Sequence, residues 1–309
     1  MNKLNQYIFF LFATTLLFTS CDKVDNPYEK TVIIDLDTTL YNGLWSDYLE
    51  NEYPTFSNNS NTNANVLIED YTGHTCFNCP LAADVAHGLY ESNPNRVFVV
   101  SIHTGPGNLS FQQSNPSNSK YYTDHTCPDG IAYGEEFEAG FGFFGNPQGT
   151  VNRREGSGEM FSLTGTWQSR TEDILNANDL KVNIQSVFNY YPNSNGGYLH
   201  VEVEKKTTDP IEMNTVVLVV QDSLVDWQKM PDNTDNEFYV HRDKHLGSID
   251  DNPFGVPTLT AVALSGDKKM LDYSYVLPQE IDRTNMHFLI YVYDKDTYEI
   301  LQVIKKKIE

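Results

Sequence analysis

Cys76 and Cys79 stand three residues apart in Cys76-Phe77-Asn78-Cys79. That spacing lets two sulfurs meet across one helical turn, so the pair can bind a soft metal or open and close as a disulfide. Pro80 follows at once and marks a helix start, because a proline's missing N–H is no loss in a first turn. Ahead of the pair, Val66-Leu67-Ile68-Glu69-Asp70-Tyr71 reads as a buried strand. Behind it, Pro80 to Glu91 reads as a helix with Leu81, Val85 and Leu89 along one face, stopped by Asn93-Pro94. Val97-Phe98-Val99-Val100-Ser101-Ile102 is a second apolar run. Strand, helix and strand in this order predict two parallel strands with a right-handed crossover. On such a unit the spacing reads as a redox dithiol, and the helix start favours a thiolate. Cys76 is then the exposed sulfur that attacks a substrate disulfide, and Cys79 the one that resolves the mixed disulfide.

The segment from Val66 to Cys79 resembles the active-site strand and helix of thioredoxin-like proteins. Asp70, six residues before Cys76, falls where thioredoxin has a buried acid that moves protons. Phe144-Gly145-Asn146-Pro147, followed by a strand at Thr150-Val151-Asn152-Arg153, is similar to the loop that carries the family's cis-proline. The resemblance implies catalytic roles for Cys76, Cys79, Asp70 and Pro147, and substrate contacts at Phe77, Asn78 and Asn146, the last through its backbone. The chain departs from thioredoxin in its Phe77-Asn78 pair, in Thr75 where the family has tryptophan, and in a polar insertion over about 104–144 that holds a helix near Ile131 to Phe141.

At the other end of the chain lies an address. Lys3 and the apolar run Tyr7 to Phe18 read as a signal peptide, too short to span a bilayer. Phe18-Thr19-Ser20-Cys21 resembles the lipobox of bacterial lipoproteins, which implies cleavage before Cys21 and a lipid on its thiol. The organisation expected is a signal peptide over 1–20, a tether and linker over 21–64, a thioredoxin-like α/β domain over 65–178 and an all-β domain over 179–309. Within the linker, Leu44, Trp45, Tyr48 and Leu49 have the spacing of a short helix, and residues 57–63 read as a solvated Asn/Ser loop. Trp167 to Ala177 reads as a helix. Beyond Asp179 the rhythm turns to two: Leu180-Val182-Ile184, Leu199-Val201-Val203, Val216-Leu218-Val220, Leu259-Ala261-Ala263, Tyr273-Tyr275, Phe288-Ile290-Val292 and Ile300-Gln302-Ile304. Short alternating strands separated by turns predict an immunoglobulin-like β-sandwich. Taken with EDYTGHTCFNCP, VFVVSIHTG, GNPQGTVNR and VVLVVQDSL, this organisation is similar to that of Bacteroidetes lipoproteins related to the twenty-eight-kilodalton outer membrane protein.

Composition narrows the partners. Of 309 residues, 42 are acidic and 21 are basic, a formal charge of −21, which excludes a phosphate-gripping nucleic-acid binder. Any membrane association therefore falls to the lipid at Cys21 rather than to surface charge. The function expected is thiol-disulfide exchange on protein thiol or disulfide substrates in the cell envelope, from an outer membrane lipoprotein facing either the periplasm or the outside. The alternative is a binding or adhesion lipoprotein that keeps the scaffold with an inert disulfide, Cys76 and Cys79 merely stapling a helix end. Asp70 is either a tuned acid or a solvated strand-end carboxylate. Cys127, the odd thiol, is expected to be buried. His74-Thr75-Cys76 and His125-Thr126-Cys127 repeat a tripeptide, and with Cys79 and His103 they hold enough soft donors for zinc or copper. Short His-x-Cys repeats arise by chance, however, and no metal or cofactor is expected. Acidic turns such as Asp232-Asn233-Thr234-Asp235 lack a calcium-loop pattern and read as solvated.

Overall fold

The computed structural model describes residues 36–308, with residues 116 and 118 left out; the signal peptide and Cys21 lie outside the described residues. Helices α1 (Trp45–Asn51), α2 (Cys79–Ser92), α3 (Pro106–Leu109), α4 (Pro128–Glu138) and α5 (Trp167–Ala177) accompany thirteen strands. These are β1 (Val66–Thr72), β2 (Val97–His103), β3 (Gln148–Val151), β4 (Val182–Tyr191), β5 (Gly196–Lys205), β6 (Met213–Gln221), β7 (Leu224–Lys229), β8 (Asp235–His241), β9 (Lys244–Ser248), β10 (Val256–Leu259), β11 (Lys268–Val276), β12 (Met286–Asp294) and β13 (Ile300–Lys307). The chain is a mixed α/β protein built on three sheets.

Strands β1 and β2 are parallel, from Val66 opposite Val97 to Thr72 opposite His103, and α2 connects them as the apolar runs predict. β3 lies antiparallel on the other side of β1, with Gly149 opposite Asp70. A side chain at Gly149 has no space, since a Cβ there would strike the Glu69 carbonyl and come within 2.5 Å of the Trp167 ring. One eight-stranded sheet runs β13-β12-β6-β9-β2-β1-β3, with β10 added on β6. It takes strands from both sides of residue 178 because β9 pairs with β2 at Ser101–Lys244 and with β6 along Leu218–Gln221. The expected boundary at 178/179 therefore does not interrupt the main sheet. Strands β4, β5 and β11 form a second sheet, and β7 with β8 a separate hairpin.

The period of two in β6 and β12 explains how the main sheet carries a core on each face. Val217, Val219, Phe288 and Ile290 point toward the second sheet, against Leu199, Val201 and Leu271. Their neighbours Val216, Leu218, Leu289 and Tyr291 point the other way, joining Tyr71, Val100, Tyr133 and Phe137. α2 and α5 cover the β1–β3 end, burying Ala82, Ala86, Trp167 and Ile174 against Ile68, Val99 and Val151.

Several expectations are corrected. On α2 the buried face is Cys79, Ala82 and Ala86, one position round from the expected stripe, so Leu81 and Val85 are exposed and only Leu89 packs inward. α4 starts three residues early because Pro128 suits a first turn and the Cys127 sulfur accepts from the Gly130 N–H at 3.4 Å. The strand expected through Ala263 stops at Leu259, where a turn bond from Ala263 N–H to the Thr260 carbonyl takes over. Residues 36–64 are not a free tether. Tyr48 on α1 is fully buried, its hydroxyl 2.5 Å from His200 Nε2, while His200 Nδ1 sits 2.6 Å from Asp272. The Asn-rich loop is likewise engaged, Asn61 donating to Asn183 Oδ1 at 2.7 Å.

Candidate functional site

β1 delivers the chain to a tight turn, in which the Cys76 N–H donates to the Gly73 carbonyl at 3.0 Å, and Cys79 then opens α2 with Pro80 in its first turn. Cys76 therefore precedes the helix and Cys79 begins it. The two sulfurs are joined as a disulfide, with Cα atoms 5.4 Å apart.

The pair is not bare. Cys76 is 2% and Cys79 1% exposed, which corrects the expectation of an accessible first sulfur. The cover is the β7–β8 hairpin. The Gln228 side-chain amide donates to the Cys76 carbonyl at 3.0 Å and to the Gly73 carbonyl at 3.3 Å, and the Lys229 N–H donates to the His74 carbonyl at 2.8 Å. The insertion latches the hairpin from the other side. Asp235 accepts from Lys120 at 2.8 Å and from the Tyr121 hydroxyl at 2.6 Å, and pairs with Lys229 at 3.3 Å. These bonds hold the Asp235 carboxyl well below the usual carboxylate range, the Lys120 bond first among them.

Asp70 is buried rather than solvated, 1% exposed, and neither carboxylate oxygen has a hydrogen-bond partner among the described residues. Burial alone pushes its pKa up to about 7. Asp70 and Cys79 line one cavity, together with His103, Gln228, Tyr239 and His241.

The Asn146–Pro147 bond is cis and Pro147 is half-buried. Its loop is tied to the ends of β1 and β2, because Asn146 Nδ2 donates to the Thr72 and Thr104 carbonyls at 2.9 and 2.7 Å. Gln148 Oε1 accepts from the Phe144 and Gly145 N–H groups at 2.7 and 3.1 Å. Asn146 thus works through its side chain as a brace, a role its position before proline does not announce. Phe77 and Asn78 are exposed, and Phe77 continues onto α2 with Leu81 and Val85 as an apolar surface stripe. Cys127 is buried and unpaired; burial raises its thiol to about 11, so it stays protonated and inert.

Gln228, Lys229, Asp235 and His241 escape a reading of the sequence, because they lie some 150 residues downstream of the dithiol. The available signal was the Asp232-Asn233-Thr234-Asp235 turn, which joins two alternating runs and marks a hairpin. Gln228→Ala removes two hydrogen bonds from the cover, and a loss of about 1.4 kcal/mol corresponds to roughly ten-fold more frequent opening. Reduction of the disulfide by a small phosphine, followed by maleimide labelling, is expected to accelerate by that factor; an unchanged rate would show that the hairpin does not gate the sulfurs.

A family model described as outer membrane protein Omp28 matches residues 134–309, more than half of the chain. The chain belongs to the Omp28 family. Family membership places it in the cell envelope, at the outer membrane. No curated protein matches it. Among solved structures, HBP35 of Porphyromonas gingivalis has the same fold, with a TM-score of 0.59, 15% identity, and coverage of 80% of this Omp28-family chain and 76% of HBP35. A protein from Agrobacterium tumefaciens aligns with a TM-score of 0.45 and 10% identity over 78% of this chain and 93% of its own. A domain of the outer membrane lipoprotein Omp28 from Porphyromonas gingivalis aligns with a TM-score of 0.27 and 18% identity over 42% of this chain and 88% of its own.

Proposed function

We propose that this Omp28-family protein is held at the outer membrane by a lipid on Cys21 and exchanges disulfides with protein clients through Cys76 and Cys79. In this reading, residues 65–178 are a thioredoxin-like domain and the strands beyond 179 an immunoglobulin-like sandwich that positions it. The parallel β1–α2–β2 unit, with β3 entering antiparallel beside β1 after Pro147, supports the first assignment. The two-layer core between β6–β12 and β4–β5–β11 supports the second.

The observation that carries the reading is a disulfide and an unpartnered acid, its pKa pushed up to about 7, sharing one cavity. A client thiolate attacks the Cys76 sulfur, and the Cys76–Cys79 bond breaks with its electron pair passing to Cys79. Asp70 supplies the proton that the Cys79 thiolate takes up. A second client thiolate then attacks the client's own sulfur in the mixed disulfide and releases Cys76, leaving the client oxidised and the pair reduced. The reverse sequence reduces a client disulfide. Phe77, with Leu81 and Val85, offers an apolar surface for the client segment.

The test is insulin reduction with dithiothreitol as the terminal reductant. Wild type is expected to shorten the lag before precipitation and Cys76→Ser to leave it at the uncatalysed value; no acceleration by wild type at any redox poise removes the reading. The low exposure of both sulfurs favours a second reading, a binding lipoprotein in which the disulfide is a fixed staple. A disulfide that withstands reduction even in Gln228→Ala would decide for it.

A further inference from the structure

Three histidines from separate parts of the chain meet under the hairpin: His103 at the end of β2, His125 ahead of α4, and His241 at the end of β8. Their ring centroids form a triangle with sides of 5.1, 5.6 and 4.9 Å. All are buried, 3%, 2% and 5% exposed. Both ring nitrogens of His103, both of His125 and Nε2 of His241 have no hydrogen-bond partner among the described residues. Asp226 on β7, also buried, brings Oδ2 to 3.3 Å from His125 Nε2. Buried nitrogens without partners are uncommon singly, and four of them, beside a fifth that faces only the Asp226 carboxylate, call for a ligand.

We propose that His103, His125 and His241, completed by Asp226, bind one divalent first-row transition ion. Imidazole and carboxylate donors suit zinc, nickel or copper rather than magnesium or calcium. Imidazoles that share a tetrahedral ion at about 2.0–2.1 Å have centroids roughly 5 Å apart, the spacing found here. Among the described residues no three donor atoms already converge on one point, so binding requires the rings to turn about χ2, a broad and soft torsion. His241 is oriented for this, since the Trp227 backbone holds its other nitrogen and leaves Nε2 to the ion. Lys244 is the opposing charge; burial lowers its pKa, and Asp226 and Asp124 lie near it.

The donor set differs from the Cys-containing set that the sequence suggests, because Cys76 and Cys79 are spent on each other and Cys127 turns toward His245. It also has a mechanical meaning. Asp226 and His241 belong to the hairpin while His103 and His125 belong to the body, so one ion fastens the cover over the disulfide.

The inference is tested on untagged mature protein by equilibrium dialysis against zinc alone. One ion per chain is expected, with affinity at least about ten-fold weaker in His103→Gln and in His241→Gln. Metal-free circular dichroism and melting of each variant show whether it folds. Cobalt(II) added to wild type gives a readout that needs no variant: visible bands of a tetrahedral nitrogen-ligated ion are expected. A thiolate charge-transfer band, absence of stoichiometric binding, or affinity that survives both substitutions overturns the site.

Discussion

Glu69→Gln is expected to destabilise the protein by about 3–5 kcal/mol, the range for removing one partner of a buried ion pair. Glu69 on β1 and Arg153 just past β3 are both essentially inaccessible to solvent. Arg153 grips the carboxylate with two nitrogens, Nη2 to Oε1 at 2.6 Å and Nε to Oε2 at 2.8 Å, and the Thr150 hydroxyl donates to Oε2 at 2.8 Å. The guanidinium lies 5.0 Å from the ring centres of both Tyr133 and Phe137, and 5.3 Å from that of Tyr291. Glutamine has the same shape and opens no cavity, so the loss isolates the charge: a guanidinium left in an aromatic cage without its anion. The pair ties β1, which leads into the dithiol, to β12 through Tyr291, whose hydroxyl accepts from Arg153 at 3.0 Å. Urea unfolding measures the effect. The double variant Glu69→Leu/Arg153→Met should recover most of the loss, and a single-variant penalty under about 1 kcal/mol would contradict the assignment.

Asp70→Asn is expected to act in the opposite direction, and only at higher pH. An unfolded chain releases the Asp70 proton near 3.8, whereas the folded chain keeps it until about 7. Between those values the native state binds the extra proton, so wild-type stability falls as pH rises through that window and stays reduced above it. The displacement from 3.8 to about 7 corresponds to roughly 4 kcal/mol at most, because burial of an unpaired carboxylate is its only cause. Asparagine cannot ionise. The variant should match wild type near pH 3.5 and be more stable by a few kcal/mol at pH 8, seen as a melting temperature that drops less with pH than that of wild type. Equal differences at both pH values would sink the claim. Under the exchange reading the same variant loses the inflection near pH 7 in its rate profile while keeping the disulfide, which separates a proton carrier from a merely structural acid.

Much of the fold is legible because it rests on short-range pattern. The alternation at Val216-Leu218-Val220 and Phe288-Ile290-Val292 can satisfy only a strand with two different faces, and Trp167 to Ala177 forms the helix that its spacing requires. The helix after Cys79 follows from Pro80 and the two flanking apolar runs. Where the reading slipped, a neighbour decided. Leu81 and Val85 have helical spacing, but β1 and β2 receive the smaller Ala82 and Ala86, whose size lets α2 approach the sheet closely. Polar residues 57–63 look solvated until Asn183 on β4 meets Asn61. β7, β8 and β9 were not foreseen because Asp226, Gln228 and His245 are polar residues facing inward, the reverse of the usual strand pattern.

The sequence by itself determined the dithiol spacing, the strand and helix that frame it, the proline loop and the family, since each depends on residues adjacent in the chain or on a repeating period. Only the tertiary structure decided that the sulfurs are covered, that Asp70 is left without a partner, that Arg153 answers Glu69, and that three buried histidines pack ring against ring. Those outcomes depend on desolvation and on contacts between groups from about 20 to more than 150 residues apart, and burial of a group is a property of everything folded around it rather than of its neighbours along the chain.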